Sequence, residues 1–145
     1  MICSMVDFEM PPVPSVLAIL TCDQVIVDAA SQKKTLVGVF DAVWAARFPA
    51  IQGFGFYARL TDLEGKYKFV IRVIQLDGEK PIGVLESHEI SSTDRLGIIE
   101  MALNFPPVPF PSPGHYEFQL FANDVYLGRA VFSVDKLQLP PSKRP

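Results

Sequence analysis

The sequence is poor in the groups that build most catalytic and metal sites: cysteine and histidine occur twice each, and tryptophan once, in 145 residues. Cys3 and Cys22 are too few for a disulfide framework, and both thiols are expected to be free, as is usual in a reducing cytosol. Positive charge is also scarce. Lys and Arg number 13 against 16 Asp and Glu, a formal charge of −3, which excludes the strongly basic surface of a nucleic-acid binder. The apolar run Val16-Leu17-Ala18-Ile19-Leu20 falls far short of the ~20 residues a membrane helix needs. It leads into Thr21-Cys22 as a lipoprotein signal would. However, Asp7 and Glu9 precede it without a lysine or arginine, and Thr21 replaces the usual small residue, so a cytoplasmic protein without membrane contact is expected. There is no G-x-x-x-x-G-K-[ST] loop, no G-x-G-x-x-G turn between strand and helix, and no G-x-S-x-G elbow. No window sustains helical spacing over three turns.

What is present is hydrophobic and β-branched. A hydrophobic share of 49% excludes disorder. A chain of this length buries roughly 68–70% of its unfolded surface, enough for one core without covalent staples. Strands are predicted at 16–22, 24–29, 35–41, 53–60, 67–76, 82–90, 96–105, 116–122 and 125–134. Ser31-Gln32-Lys33-Lys34, Asp62-Leu63-Glu64-Gly65, Asp77-Gly78, Pro111-Ser112-Pro113-Gly114 and Asn123-Asp124 are turns between them. The pattern predicts an all-β, antiparallel β-sandwich of eight to nine short strands. Met10-Pro11-Pro12-Val13-Pro14 and the tail from Leu139 to Pro145 read as extended proline-rich arms, with the folded domain over 15–137 between an arm over 1–14 and a tail over 138–145.

Two hairpins follow from opposing apolar residues across turns. In the first, Leu60, Ala58, Phe56 and Phe54 oppose Tyr67, Phe69, Ile71 and Val73. The other face then carries Arg59, Tyr57, Lys68 and Arg72. In the second, the Asn123-Asp124 turn sets Ala122 against Val125. A bulge at Gly128 then re-pairs Phe118 with Ala130 and Tyr116 with Phe132, and turns Arg129 outward beside Gln119 and Glu117. Gly65-Lys66-Tyr67-Lys68-Phe69-Val70-Ile71 and Gly114-His115-Tyr116-Glu117-Phe118-Gln119-Leu120 share a pattern. It fits either a hairpin duplicated on opposite sheets or convergence of period-two strands.

Pro113-Gly114-His115-Tyr116 leading into Glu117-Phe118 resembles the start of a late strand in immunoglobulin-like sandwiches, where a tyrosine hydroxyl bonds back to the preceding corner. Phe118 stands where an antibody-type domain has its second cysteine, so the inter-sheet disulfide is absent. Two blocks, Leu17 to Asp28 with Leu36-Val37-Gly38-Val39-Phe40-Asp41, and Pro113 to Asn123 with Tyr126-Leu127-Gly128, resemble a family of small bacterial proteins of uncharacterised function. That resemblance implies a compact immunoglobulin-like β-sandwich in a bacterial cell and carries no catalytic residue.

Asp23, Asp28 and Asp41 fall at predicted strand ends, where carboxylates either gather calcium or, more commonly, form turns. Ser91, His88 and Asp94 are close in sequence but lack an elbow to present the serine, and His88 shares a strand face with Glu86. Cys22 adjoins Asp23, which opposes thiolate formation. Tyr57, Arg59, Lys68 and Arg72 form a small aromatic and basic patch on the hairpin reading. The larger surplus is apolar. Phe105-Pro106-Pro107-Val108-Pro109-Phe110-Pro111 reads as a stiff loop whose phenylalanines either face a partner or plug the core's edge in a crossover between sheets. Trp44 and Phe48 either cap the core or form an interface hot spot. The expectation is a non-enzymatic protein-interaction or structural module without cofactor or metal, acting as a homo-oligomer or as an accessory subunit of a bacterial assembly. Its contact residues would be Trp44, Phe48, Phe105, Phe110, Tyr57 and Arg72. The alternative is a sandwich that binds a small ligand or calcium.

Overall fold

A computed structural model describes residues 11–138, which form nine strands and no helix. They are β1 (Ser15–Val27), β2 (Lys34–Val39), β3 (Ala42–Ala45), β4 (Ala50–Thr61), β5 (Gly65–Gln75), β6 (Lys80–Ser92), β7 (Ile99–Phe110), β8 (Gly114–Ala122) and β9 (Val125–Lys136). The first sheet runs β2-β1-β4-β7 and the second β3-β9-β8-β5-β6. β1 against β9 closes one side of the sandwich, and β6 against β7 closes the other. All pairings are antiparallel except that of β3 with β9, which is parallel.

Alternation decides what lies between the sheets. Phe54, Phe56, Ala58 and Leu60 point inward from β4, Tyr67, Phe69, Ile71 and Val73 from β5, and Tyr116, Phe118, Leu120 and Ala122 from β8; all are buried. Phe54 sits at the centre, its ring 5.2 Å from Phe110, 5.6 Å from Phe132, 5.7 Å from Phe118 and 5.4 Å from Phe40. Most of these contacts are edge-to-face or tilted, the geometry that aromatic quadrupoles favour.

The predicted inward face of β4 and β5 is therefore correct, but the predicted hairpin is not. β4 pairs with β1 and β7, and β5 with β6 and β8, so the two strands face each other across the core. Apolar side chains that meet through the core satisfy the same alternation as cross-strand neighbours. The 62–64 corner carries the chain between sheets, anchored by fully buried Leu63.

β8 and β9 do form the expected hairpin. Tyr116 pairs with Phe132 and Phe118 with Ala130, and Arg129 lies opposite Gln119 and binds Glu117 at 3.2 Å. The extra residue is Leu127 rather than Gly128, because the register shifts between Tyr126 and Gly128. The like segments of β5 and β8 are neighbours in one sheet, not on opposite sheets. Ile71 and Leu120, equivalent in the two segments, are direct partners, which relates the β5–β6 and β8–β9 hairpins by a local two-fold. Both tyrosines tie down a corner. The Tyr116 hydroxyl donates to the Ser112 carbonyl at 2.5 Å, as the immunoglobulin-like resemblance implies, and the Tyr67 hydroxyl donates to the Pro12 carbonyl at 2.7 Å.

Three further elements differ from expectation. The predicted strands 16–22 and 24–29 are one strand, β1, with Asp23 inside it. Its first part pairs with β4 and its last with β2. The predicted proline loop from Phe105 belongs to β7, which among the described residues pairs only with β4. An edge strand tolerates residues that cannot donate to a ladder. Val43 and Trp44, outside every predicted strand, belong to β3. Of the expected arms, residues 1–10 and 139–145 lie outside the described residues. Pro12 is held by Tyr67, and Pro14 is buried.

Candidate functional site

Three rows of residues cross the outer face of the second sheet. Glu86, Val70, Phe121 and Tyr126 form one, Val84, Arg72, Gln119 and Arg129 the next, and Pro81, Ile74, Glu117 and Val131 the third. At the junction of the first two, the Arg72 guanidinium lies 5.7 Å from the centre of the Phe121 ring. That ring meets Tyr126 edge-on at 5.7 Å. Cation–π contact holds the guanidinium over the ring and leaves its other donors for a partner. Tyr126 is 49% and Val84 54% exposed, so the stack lies within an apolar area bordered by charge. Lys68 and Glu86 pair at 2.8 Å on one border, and Asp124 stands beside Phe121. The patch reaches β6, whose other side has no paired strand among the described residues.

A second feature lies on the first sheet. β1 turns over after Cys22, so that the main chain of Val25 exchanges two hydrogen bonds with the Asn104 amide of β7, N–H to Oδ1 at 2.9 Å and Nδ2 to O at 3.0 Å. Gly55 of β4 makes room for this. A Cβ there would lie 2.6 Å from the Cys22 sulfur and 2.9 Å from Val25. The β1–β2 hairpin thus covers part of the sheet's outer face and leaves a cleft of about 690 Å3, lined by Ser31, Gln32, Lys33, Lys34, Leu36, Tyr57, Arg59 and Glu100. Glu100 receives the Tyr57 hydroxyl, Lys34 Nζ at 3.1 Å and Arg59 at 3.3 Å. The Tyr57 bond, followed by the two cations, holds its carboxyl below the usual glutamate range. At the hairpin tip, Asp28 Oδ2 accepts from the Ser31 N–H and hydroxyl, both at 2.7 Å, which lowers its pKa as well.

The model of a family of unknown function, DUF6941, matches residues 17–135, nearly the whole sandwich. The chain belongs to DUF6941. No curated protein matches it in sequence. Among solved structures, this DUF6941 chain is similar to the C-terminal domain of wzt, with 13% identity, a TM-score of 0.52, and 90% of this chain and 80% of that one covered. It is also similar to part of the Pseudomonas fluorescens alkylpurine DNA glycosylase AlkC, solved bound to DNA containing an abasic site analog. There the identity is 10% and the TM-score 0.50, with 92% of this chain covered but only 33% of the glycosylase. An immunoglobulin-like protein from Pseudomonas aeruginosa aligns at 15% identity and a TM-score of 0.37, over 85% of this chain and 97% of that one. At these identities the likeness to the first two is one of fold alone.

The DUF6941 fold separates the residues that the sequence suggested as contacts. Arg72 lies in the aromatic stack described above. Trp44 is 60% exposed on β3, opposite Asp135, nine residues along β9 from Tyr126 and so roughly 30 Å away at 3.3 Å per residue. Phe48 packs partly buried against the core. Phe105 and Phe110 are 3% and 1% exposed, so neither presents a surface; they complete the core from an edge strand. Tyr57 is covered by the β1–β2 hairpin and bonded to Glu100. The expected patch of Tyr57, Arg59, Lys68 and Arg72 does not form. Tyr57 and Arg59 are on the first sheet's outer face and Lys68 and Arg72 on the second's.

Asp28 is engaged in its turn, and among the described residues no three His, Cys, Asp or Glu side chains group to hold a metal ion. Ser91 lies in β6 opposite Lys66, and the serine hydroxyl engaged beside His88 is that of Ser87, which accepts the Phe69 N–H at 3.0 Å and donates to the His88 carbonyl at 2.8 Å. Cys22 is fully buried, and its thiol pKa is raised, first by burial. Phe121 and Tyr126 were missed as site residues. The signal for Phe121 was its phase in β8, opposite to that of Tyr116, Phe118, Leu120 and Ala122.

Proposed function

We propose that this protein is a non-enzymatic interaction module of the bacterial cytoplasm, joining a second copy or a larger assembly through the outer face of its second sheet. The observation that carries this reading is the Arg72–Phe121–Tyr126 stack. Aromatic and guanidinium groups are enriched at interface hot spots, and here they occupy a sheet face that alternation ordinarily gives to solvated residues. Val84 and Val70 extend the apolar area toward β6, and the Lys68–Glu86 pair supplies a charged border. Such a core and rim are the usual anatomy of a contact surface.

The test is the native mass of the purified protein, alone and with proteins captured from its host, for wild type, Tyr126→Glu and Arg72→Ala. Both variants alter exposed or half-exposed side chains and are expected to keep the thermal midpoint within a few degrees. Loss of the oligomer or complex in both supports the reading. Assembly unchanged in both variants, or a wild-type monomer without a companion, overturns it.

A further inference from the structure

We propose that the cleft between the β1–β2 hairpin and the outer face of the first sheet binds a small dianion of the phosphate-monoester type. Lys33, Lys34 and Arg59 line it against the carboxylate of Glu100, so its lining carries two more positive than negative charges on a chain whose formal charge is −3; the nearby Asp28 carboxylate is taken up by the Ser31 N–H and hydroxyl. A dianion matches that excess.

Two of the three cations, Lys34 and Arg59, are already held in place. Lys33 and Lys34 belong to the hairpin and Arg59 to β4, and Glu100 of β7 draws Lys34 and Arg59 together from those separate elements. Its Oε1 takes Lys34, and its Oε2 takes Arg59 and the Tyr57 hydroxyl. This engages one donor of Lys34 and, with the 3.5 Å contact to the Tyr57 hydroxyl, the Nη1 donors of Arg59. An ammonium has three donors and a guanidinium five, so most of their capacity remains unspent. The hairpin tip is braced independently. Asp28 binds the Ser31 N–H and hydroxyl, its carbonyl accepts the Gln32 N–H at 2.8 Å, and its N–H donates to the Lys33 carbonyl at 2.9 Å. Cations fixed before a ligand arrives lower the ordering cost of binding. Leu36 and Tyr57 add an apolar wall against which the organic part of an ester can lie.

The test is calorimetric titration of the full chain at low salt with phenyl phosphate and, separately, inorganic phosphate. Saturable one-to-one binding is expected, tighter for the ester. Each of Arg59→Gln and Lys33→Gln should weaken it about tenfold, the worth of one charge-assisted hydrogen bond. Arg129→Gln removes a cation from the opposite sheet and should leave it unchanged. Lys33 is exposed and pairs with no carboxylate among the described residues, so its variant keeps the fold if Arg59→Gln does not. Absence of saturation, or equal weakening by Arg129→Gln, overturns the site, the latter because it marks diffuse attraction to charge.

Discussion

Tyr116 combines two kinds of stabilisation in one side chain. Its ring packs edge-on against Phe110 at 4.9 Å and stacks on Phe132, while its hydroxyl closes the corner that leads into β8. Tyr116→Phe keeps the packing and removes the bond. It should cost about 1–2 kcal/mol, the usual worth of a partly buried hydrogen bond whose acceptor loses its partner. Tyr126→Phe, at an exposed ring, should stay within about 0.5 kcal/mol of wild type. Urea midpoints for the two variants give the comparison, and equal midpoints would remove the corner from the account of stability. Pro113-Gly114-His115-Tyr116 made this bond legible in the sequence. The carboxylate of Glu100 was not legible, because Lys34, Tyr57 and Arg59 converge on it from two strands whose adjacency only the bent β1 creates.

At the scale of the element, alternation identified which side of each strand is buried but not which strand lies beside it. The pattern turns Phe54 to Leu60 and Tyr67 to Val73 inward, and they are buried, yet they lie on two facing sheets and meet across the core, not along a ladder. Prolines misled for a related reason. Pro106, Pro107 and Pro109 exclude a central strand and so suggest a loop, whereas an edge strand accommodates them. The β8–β9 hairpin was legible because its turn is local. Asn123 and Asp124 both have positive φ, 47° and 67°, as a two-residue primed turn requires. Their contributions differ. The Asn123 side chain accepts the Lys68 N–H at 3.0 Å and donates to the Lys66 carbonyl at 3.1 Å, fastening the turn to β5. Asn123→Ala should therefore lose about 1–2 kcal/mol through those bonds and the strained backbone. Asp124→Gly should be neutral or stabilising by up to about 1 kcal/mol, because glycine suits positive φ there. Thermal unfolding of the two variants decides this, and equal losses would show that the turn contributes through its backbone alone.

The whole molecule is a sandwich with different outer faces. One carries a hairpin laid over a charged cleft, and the other an open aromatic stack. A contact module and an anion site can therefore coexist on one chain without sharing a residue. The four sheet edges are also unequal. β7 lacks donors at its three prolines, β3 offers four residues, and β2 offers six with Gly38 at a φ of 67°. β6 alone offers thirteen. An open filament needs two dissimilar edges that fit one another, and among the described residues the one other edge of comparable length, twelve-residue β7, is interrupted by its prolines. If the proposed self-contact extends from the outer face to the β6 edge, pairing of that edge with its own copy is symmetric and terminates at two chains. Sedimentation over a concentration series should plateau at twice the monomer mass, and growth beyond that would show that another surface propagates the assembly.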